Sequence, residues 1–451
     1  MLTQHLSRFT SLFWFITILC LLFSLIACSD TTAVDSTIGQ ADNALDLPDI
    51  PTPVATPELS ASSNTAEATE PTTEPIRHLT VWMLPEIAPI PEIVGGNTQE
   101  AQFASFADSH PNIDLQIEQK VATGPASLLN YLETGRDIAP QALPDLALVP
   151  AFLLPELVNK EQVYPLEDLI PAQDFEDLLP VGRQMARVGE EFYAYPYATT
   201  GLHHAIYNSA IITTPLSTDW GTLYEQDYPF IFPASSASGI QLLLQFYLAE
   251  GGTLRNETGQ IQLESEPLQS ALQSLQTARN TGLILEESGM ITTEDEAWRI
   301  FLSSRAAVAQ TSSTQYFNQQ GQESEISFAP LPGKETALVP QVSGWVWVIT
   351  TPDPARQALA AELLLWLANG PNLGDWTLQN RYLPPRYAAF DRWEDDRYTA
   401  FLQSELERSA MLPTTVSGAV SDALNNALSE LFASPNPDIQ TIAITAATAV
   451  K

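Results

Sequence analysis

The chain has 451 residues, with 54 acidic side chains against 19 lysines and arginines, a formal net charge of −35, and two cysteines. A polyanion of this strength repels nucleic-acid phosphates and anionic lipid headgroups at long range, which argues against nucleic-acid binding. Both cysteines, Cys20 and Cys28, lie near the N-terminus, so the rest of the chain can form no disulfide, thiolate metal site or cysteine nucleophile.

Met1–Thr10 is short and polar with a positive charge at Arg8, and Ser11–Ala27 is almost wholly apolar. A charged head, an apolar core and a small residue before the cut make a secretory signal over 1–27. Leu25-Ile26-Ala27-Cys28 has the order of a lipobox, with Cys28 as the lipidation site. The alternative is an uncleaved anchor, since the apolar run approaches the roughly 17–25 residues that span a bilayer. The motif and the sequence after it favour the lipoprotein. Residues 28–77 read as a tether: they are rich in Thr, Ala, Ser and Pro, and from 29 onward carry nine acids and one Arg. Such a segment cannot bury enough apolar surface to offset its ordering entropy, and Pro with like charges keeps it extended.

From His78 onward, β runs alternate with helical periodicity. Leu79–Leu84 is a strand, 98–109 a helix broken at His110-Pro111, Ile113–Glu118 a strand, Ala126–Thr134 a helix, and Leu146–Val149 an apolar strand opened by Pro144-Asp145. Strands follow at Phe192–Tyr195, His204–Tyr207, Phe230–Phe232, Ala306–Gln310, Ile326–Pro330 and Gly344–Thr350. Helices are expected at Gly239–Glu250, Leu268–Asn280, Glu294–Ser303, Pro354–Asn369, Val416–Phe432 and Asp438–Val450. This spacing means α/β layers with parallel pairing and helices on both sheet faces. The roughly 374 residues after the tether are long for one domain and suggest two.

Several stretches in this order resemble the extracellular solute-binding proteins of ABC importers, the large family that includes maltose- and other sugar-binding proteins. They are Leu79-Thr80-Val81-Trp82, Phe106 to Ile113 (FADSHPNI), Pro144-Asp145-Leu146, Tyr195-Pro196-Tyr197-Ala198 through Ile206-Tyr207-Asn208, Gly344 to Ile349 (GWVWVI), Ala358–Trp366 and Leu383-Pro384-Pro385-Arg386. The resemblance covers nearly all of 78–451 and implies a two-lobed, type II periplasmic-binding-protein fold. Each lobe would hold a mixed, mostly parallel sheet flanked by helices, with a hinge between them. It places lobe 1 at 78–198 completed by 334–380, and lobe 2 at 199–333 completed by 381–451. It implies a monomer with no cofactor, which captures a small solute, a sugar or oligosaccharide, for the permease subunits of an importer. The lipid would hold it at the outer face of the cell membrane or in the periplasm.

Ligands of open α/β sheets bind at strand ends, which selects candidate residues. Leu84 and Glu86 follow the first strand, Ala151 and Phe152 the Pro144-Asp145 strand, and Tyr197, Thr199 and Thr200 lie at the crossing between lobes. Ser235 and Ser236 follow Phe230–Phe232; Thr311, Ser312, Gln315 and Tyr316 follow Ala306–Gln310; Trp345 lies in the late strand. Hydroxyls and amides suit sugar hydroxyls, and aromatic faces suit the flat apolar sides of the ring. Each has a structural alternative: Trp345 and Trp347 share one strand face and can be core, the Ser235-Ser236 run can be a helix cap, and Glu86 can be a solvated loop acid. Where sugar binders of the family often place Met and Trp, this chain has Thr311 to Tyr316 (TSSTQY), in which only Tyr316 can stack.

His203-His204 invites a metal reading, but adjacent residues of a strand point to opposite faces. A glycosidase needs two carboxylates about 5–9.5 Å apart; Glu190-Glu191 and Asp395-Asp396 are neighbours that read as exposed turns, and no GxSxG, HExxH or phosphate loop occurs. The expectation is a binding protein rather than an enzyme, with a sensor or adhesion lipoprotein of the same fold as the alternative.

Overall fold

A computed structural model describes residues 77–121, 124, 126–138, 142–319, 325–413, 416 and 418–450. The signal segment, Cys28 and the tether up to 76 lie outside them.

Leu79, Val81 and Met83 are fully buried along β1 (Arg77–Met83), which pairs in parallel with β2 (Ile113–Gln119) over its whole length. β3 (Leu146–Pro150) is buried at every position, as a strand covered on both faces must be. Before it, Asp145 is entirely buried; burial raises its pKa, against the Thr80 amide and Arg356, whose guanidinium lies 2.6 Å away. A hairpin of β4 (Arg187–Val188) and β5 (Glu191–Phe192) precedes β6 (Tyr195–Thr200). The chain therefore breaks at 193–194, inside the stretch expected as one strand. β11 (Gln341–Ile349) runs antiparallel to both β3 and β6, and β12 (Ala410–Met411) closes the other end. The order is β12-β11-β3-β1-β2, with β6 also on β11. Gly344 permits the β6–β11 contact: a Cβ there would meet the Ala198 carbonyl at 2.2 Å.

The second sheet has the order β10-β7-β9-β8, from β7 (His203–Asn208), β8 (Phe230–Ile231), β9 (Val308–Ser312) and β10 (Ile326–Ala329). β8 and β9 are parallel, whereas β7 runs antiparallel to β9 and β10. Antiparallel pairing to β7 carries β9 as far as Ser312, opposite His203, so Thr311 and Ser312 lie in the strand and not after it.

Each sheet has its own core. The first gathers β1, β3, β6 and β11 with the helices Gly96–Ser109, Pro354–Ala368 and Gly370–Asn380; the second gathers the helices Ala237–Ala249, Ser265–Asn280, Ala419–Ala433 and Ile439–Ala449 on one face of β7–β10. A smaller cluster around Trp298 and Phe301 covers the other face. Leu383, Phe390, Trp393, Tyr398, Leu402 and Leu406 pack in the first core, and the second resumes at Val420. The reading that gave all of 381–451 to lobe 2 thus differs from the packing of 383–406. The cause is an anchor: Arg386 is buried against Asp177 at 2.6 Å, the Tyr195 hydroxyl at 2.9 Å and the Ala368 carbonyl at 2.8 Å, all in the first lobe. The chain passes between the cores at 201–202, at 339–340 and again between β12 and the helix Ala419–Ala433.

Candidate functional site

The two sheets are joined end to end at the first passage, where β6 runs through a two-residue turn into β7. β6 ends at Thr200, opposite Ser343 of β11; Gly201 turns with φ +76°; β7 begins at His203, opposite Ser312 of β9. A positive φ is where glycine costs least. The Gln241 amide, from the helix Ala237–Ala249, donates to the carbonyls of Gly201 and Gln341, tying two passages to the second lobe.

On the first lobe's edge, Trp345 lies between Pro150 of β3 and Ala198 of β6 and is half-buried. Phe152, in the turn after β3, is 46% exposed, and Glu86 is exposed in the turn after β1. Tyr382 stands nearby, packed on Trp376; burial first, and then the charge of Glu86, hold its phenol above the usual range. Thr200 is half-buried. The other residues selected here lie inside: Leu84, Ala151, Tyr197 and Thr199 are buried. Tyr197 stacks on Trp376 at 4.2 Å, meets Trp347 edge-on and accepts from Gln99, because its face of the sheet is covered by the helix Gly370–Asn380. Trp347 is wholly buried as well.

The second lobe's edge is polar. Ser235 is exposed and donates to the Gly289 carbonyl. Ser236 caps the helix Ala237–Ala249, accepting from the Gly239 amide and donating to the Pro233 carbonyl. Thr311 is buried. Ser312 binds Glu294 through its amide and hydroxyl, at 3.0 and 2.7 Å, and accepts from the Gln315 amide. The Gln315 side chain donates to Asp295 at 2.6 Å. Tyr316 is half-buried with its ring 4.1 Å from Tyr398, so residues of the second lobe and of the 383–406 stretch touch directly.

Sequence reasoning missed the centre of this edge. Glu294 also accepts from Ser238 Oγ at 2.6 Å and His203 Nε2 at 3.0 Å. His203 Nδ1 lies 3.0 Å from the Gly201 carbonyl. His203 thus faces the Gly201 carbonyl through Nδ1, and the Glu294 carboxylate and the Ser238 hydroxyl through Nε2. Burial works to raise the Glu294 pKa, but the hydrogen bonds of His203, Ser238 and Ser312 together bring it to about 2. In sequence Glu294 looks like an ordinary first-turn acid after the Thr293 cap; its partners lie 91, 56 and 18 positions away, so no local pattern marks it. This is no Ser-His-acid triad: the carboxylate and the serine share Nε2, and Nδ1 faces a carbonyl.

His204 points the other way, as alternation requires. Fully buried, its Nδ1 donates to the Ala205 carbonyl and its Nε2 accepts from the Tyr398 hydroxyl at 2.8 Å. Burial lowers its pKa to about 4. Among the described residues no three His, Cys, Asp or Glu gather as metal ligands would. Of the paired carboxylates, Glu191 accepts from the Tyr193 hydroxyl and Asp396 caps the helix Arg397–Glu407.

The model of the family described as bacterial extracellular solute-binding protein matches residues 101–401. Solved structures of the same fold include the sugar-binding protein MalE from Xanthomonas citri, 15% identical with a TM-score of 0.67, which covers 83% of this chain and 96% of that one. The cyclic α-maltosyl-1,6-maltose binding protein from Arthrobacter globiformis is 13% identical with a TM-score of 0.63, covering 83% of this chain and 98% of that one. A search of curated protein sequences finds no match.

Proposed function

The chain belongs to the bacterial extracellular solute-binding protein family, and on that premise we propose that it captures a sugar or oligosaccharide between its two lobes and delivers it to the permease subunits of an ABC importer. The observation that carries this reading is the meeting of unlike sides at the passage 200–203: Trp345 and Tyr382, half-buried, and the exposed Phe152 leave ring surface uncovered on one side, and Ser235 and Gln315 carry hydroxyl and amide groups on the other. Stacking takes the flat face of a sugar ring, and the polar side takes its hydroxyls. The structural neighbours support it, since one is a sugar-binding protein and the other a cyclic α-maltosyl-1,6-maltose binding protein. Capture is a shift in the population of closed lobes, not a chemical step. Calorimetric titration against mono- and oligosaccharides, with the scattering radius measured in parallel, tests it. A ligand that binds and contracts the molecule supports the reading; a broad panel without binding or contraction removes it.

Cys28 would carry the lipid, and 29–77 would serve as the leash from the membrane to a monomeric binding body. Cys28→Ala is expected to release a soluble protein from the membrane fraction with sugar affinity unchanged. Retention in the membrane fraction would point to an uncleaved anchor instead.

A further inference from the structure

The side chain of Glu294 is only 17% exposed, and the protein supplies it with a full set of donors. Ser312 gives an amide and a hydroxyl, Ser238 a hydroxyl and His203 a ring N–H. The carboxylate also lies at the positive, N-terminal ends of two helices, its own (Glu294–Leu302) and Ala237–Ala249, whose first turn holds Ser238. Donors of this kind, converging at the strand ends of one sheet, are what a protein uses to hold a ligand's anionic group. Here they are spent on a side chain. Around it lie the exposed acids Glu86 and Asp295 and one exposed cation, Arg381, whose guanidinium is taken up by the Asn318 side chain, while Arg386, inside the first core, is engaged by Asp174 and Asp177.

From this we infer that Glu294 is a resident anion: it fills the anion-holding corner of the second lobe and makes the site select uncharged polyhydroxy solutes over acidic ones. This role rests on the solute-binding reading above for its selectivity, but not for its chemistry.

Glu294→Ala tests the chemistry by rescue. Removing the carboxylate leaves the donors without a partner and a space of carboxylate size. The variant should melt below the parent, and sodium formate should raise its melting temperature saturably, by about 2–4 °C beyond any effect on the parent. Formamide, similar in size but neutral, should not. Equal formate responses in variant and parent, or equal effects of formate and formamide on the variant, overturn the proposal. If the variant is recovered only as aggregates, refolding from urea gives the same readout: formate should restore soluble protein and formamide should not, and equal recovery overturns it. Selectivity is tested on the parent with glucuronate, whose saturable binding would overturn the exclusion of anions. A panel of neutral sugars that all fail to bind removes the solute reading and leaves the rescue result standing.

Discussion

The two sides that meet at 200–203 are held in place by different forces. In the first lobe Tyr382 rests on a stack of rings, Trp376 on Tyr197 and Tyr197 against Trp347, and Trp345 packs against the same core. Within it the Trp347 indole N–H and the Thr199 hydroxyl find no hydrogen-bond partner among the described residues. In the second lobe the geometry is set by charge and hydrogen bonding, with Glu294 joining β7, β9 and two helices. Packing between rings is indifferent to protons, whereas a side held by a carboxylate is not. The same fold therefore sets one pH-insensitive side against one that titrates.

The deepest challenge to this contrast is Arg386, an ionic group behind the aromatic wall. Arg386→Ala leaves the half-buried Asp174 and Asp177 and the buried Tyr195 hydroxyl without their cation, and is expected to cost about 2–4 kcal/mol in denaturant unfolding, somewhat less than a fully buried pair. A cost below about 1 kcal/mol would mean that rings alone hold the first lobe.

The pH dependence of stability sharpens the contrast further. His204 ordinarily titrates at 6.5 and in the fold at about 4, so the unfolded chain takes up the proton first on acidification. Its contribution, up to about 3 kcal/mol, is complete above pH 6.5 and is lost as pH falls toward 4. Glu294 falls from 4.5 to about 2, so its contribution is complete above pH 4.5 and is lost as pH falls toward 2. Melting temperature against pH should therefore show two successive acid legs. His204→Phe is expected to flatten the upper one and Glu294→Gln the lower. If neither leg changes in its variant, the acid sensitivity belongs to the surface carboxylates.

How much of this was legible beforehand follows from the range of the interactions. β1 and β3 were readable because their apolar runs are local, and the opposite faces of His203 and His204 followed from the period of a strand. The break at 193–194 was not, because it depends on β4 and β5 pairing with each other. Tyr197 was chosen as a strand-end residue, but its burial is decided by the helix Gly370–Asn380, more than 170 positions along the chain. Glu294 was invisible for the same reason: every donor it binds comes from another element.

The solute itself should separate the two edges. Trp345→Ala removes a ring face from a half-buried strand position and is expected to weaken sugar binding roughly 10–100-fold, about 1.4–2.7 kcal/mol, by calorimetry. Stability should change much less than affinity. A variant that loses stability and keeps affinity would move Trp345 from the wall into the core.

The smallest effect expected is at Ser236, and it decides between cap and contact. Its hydroxyl already donates to the Pro233 carbonyl and accepts, at 3.4 Å, from the Gly239 amide. A hydroxyl committed in both directions has little left for a ligand. Ser236→Ala should therefore cost about 1 kcal/mol of stability, the usual loss of a helix cap, and leave sugar affinity within twofold of the parent. Ser235, exposed beside it with its hydroxyl donating to the Gly289 carbonyl, provides the internal comparison. Ser235→Ala should leave stability within about 0.5 kcal/mol and lower affinity. If the two variants exchange these behaviours, the polar wall is built on the first turn of the helix and not on the strand end before it.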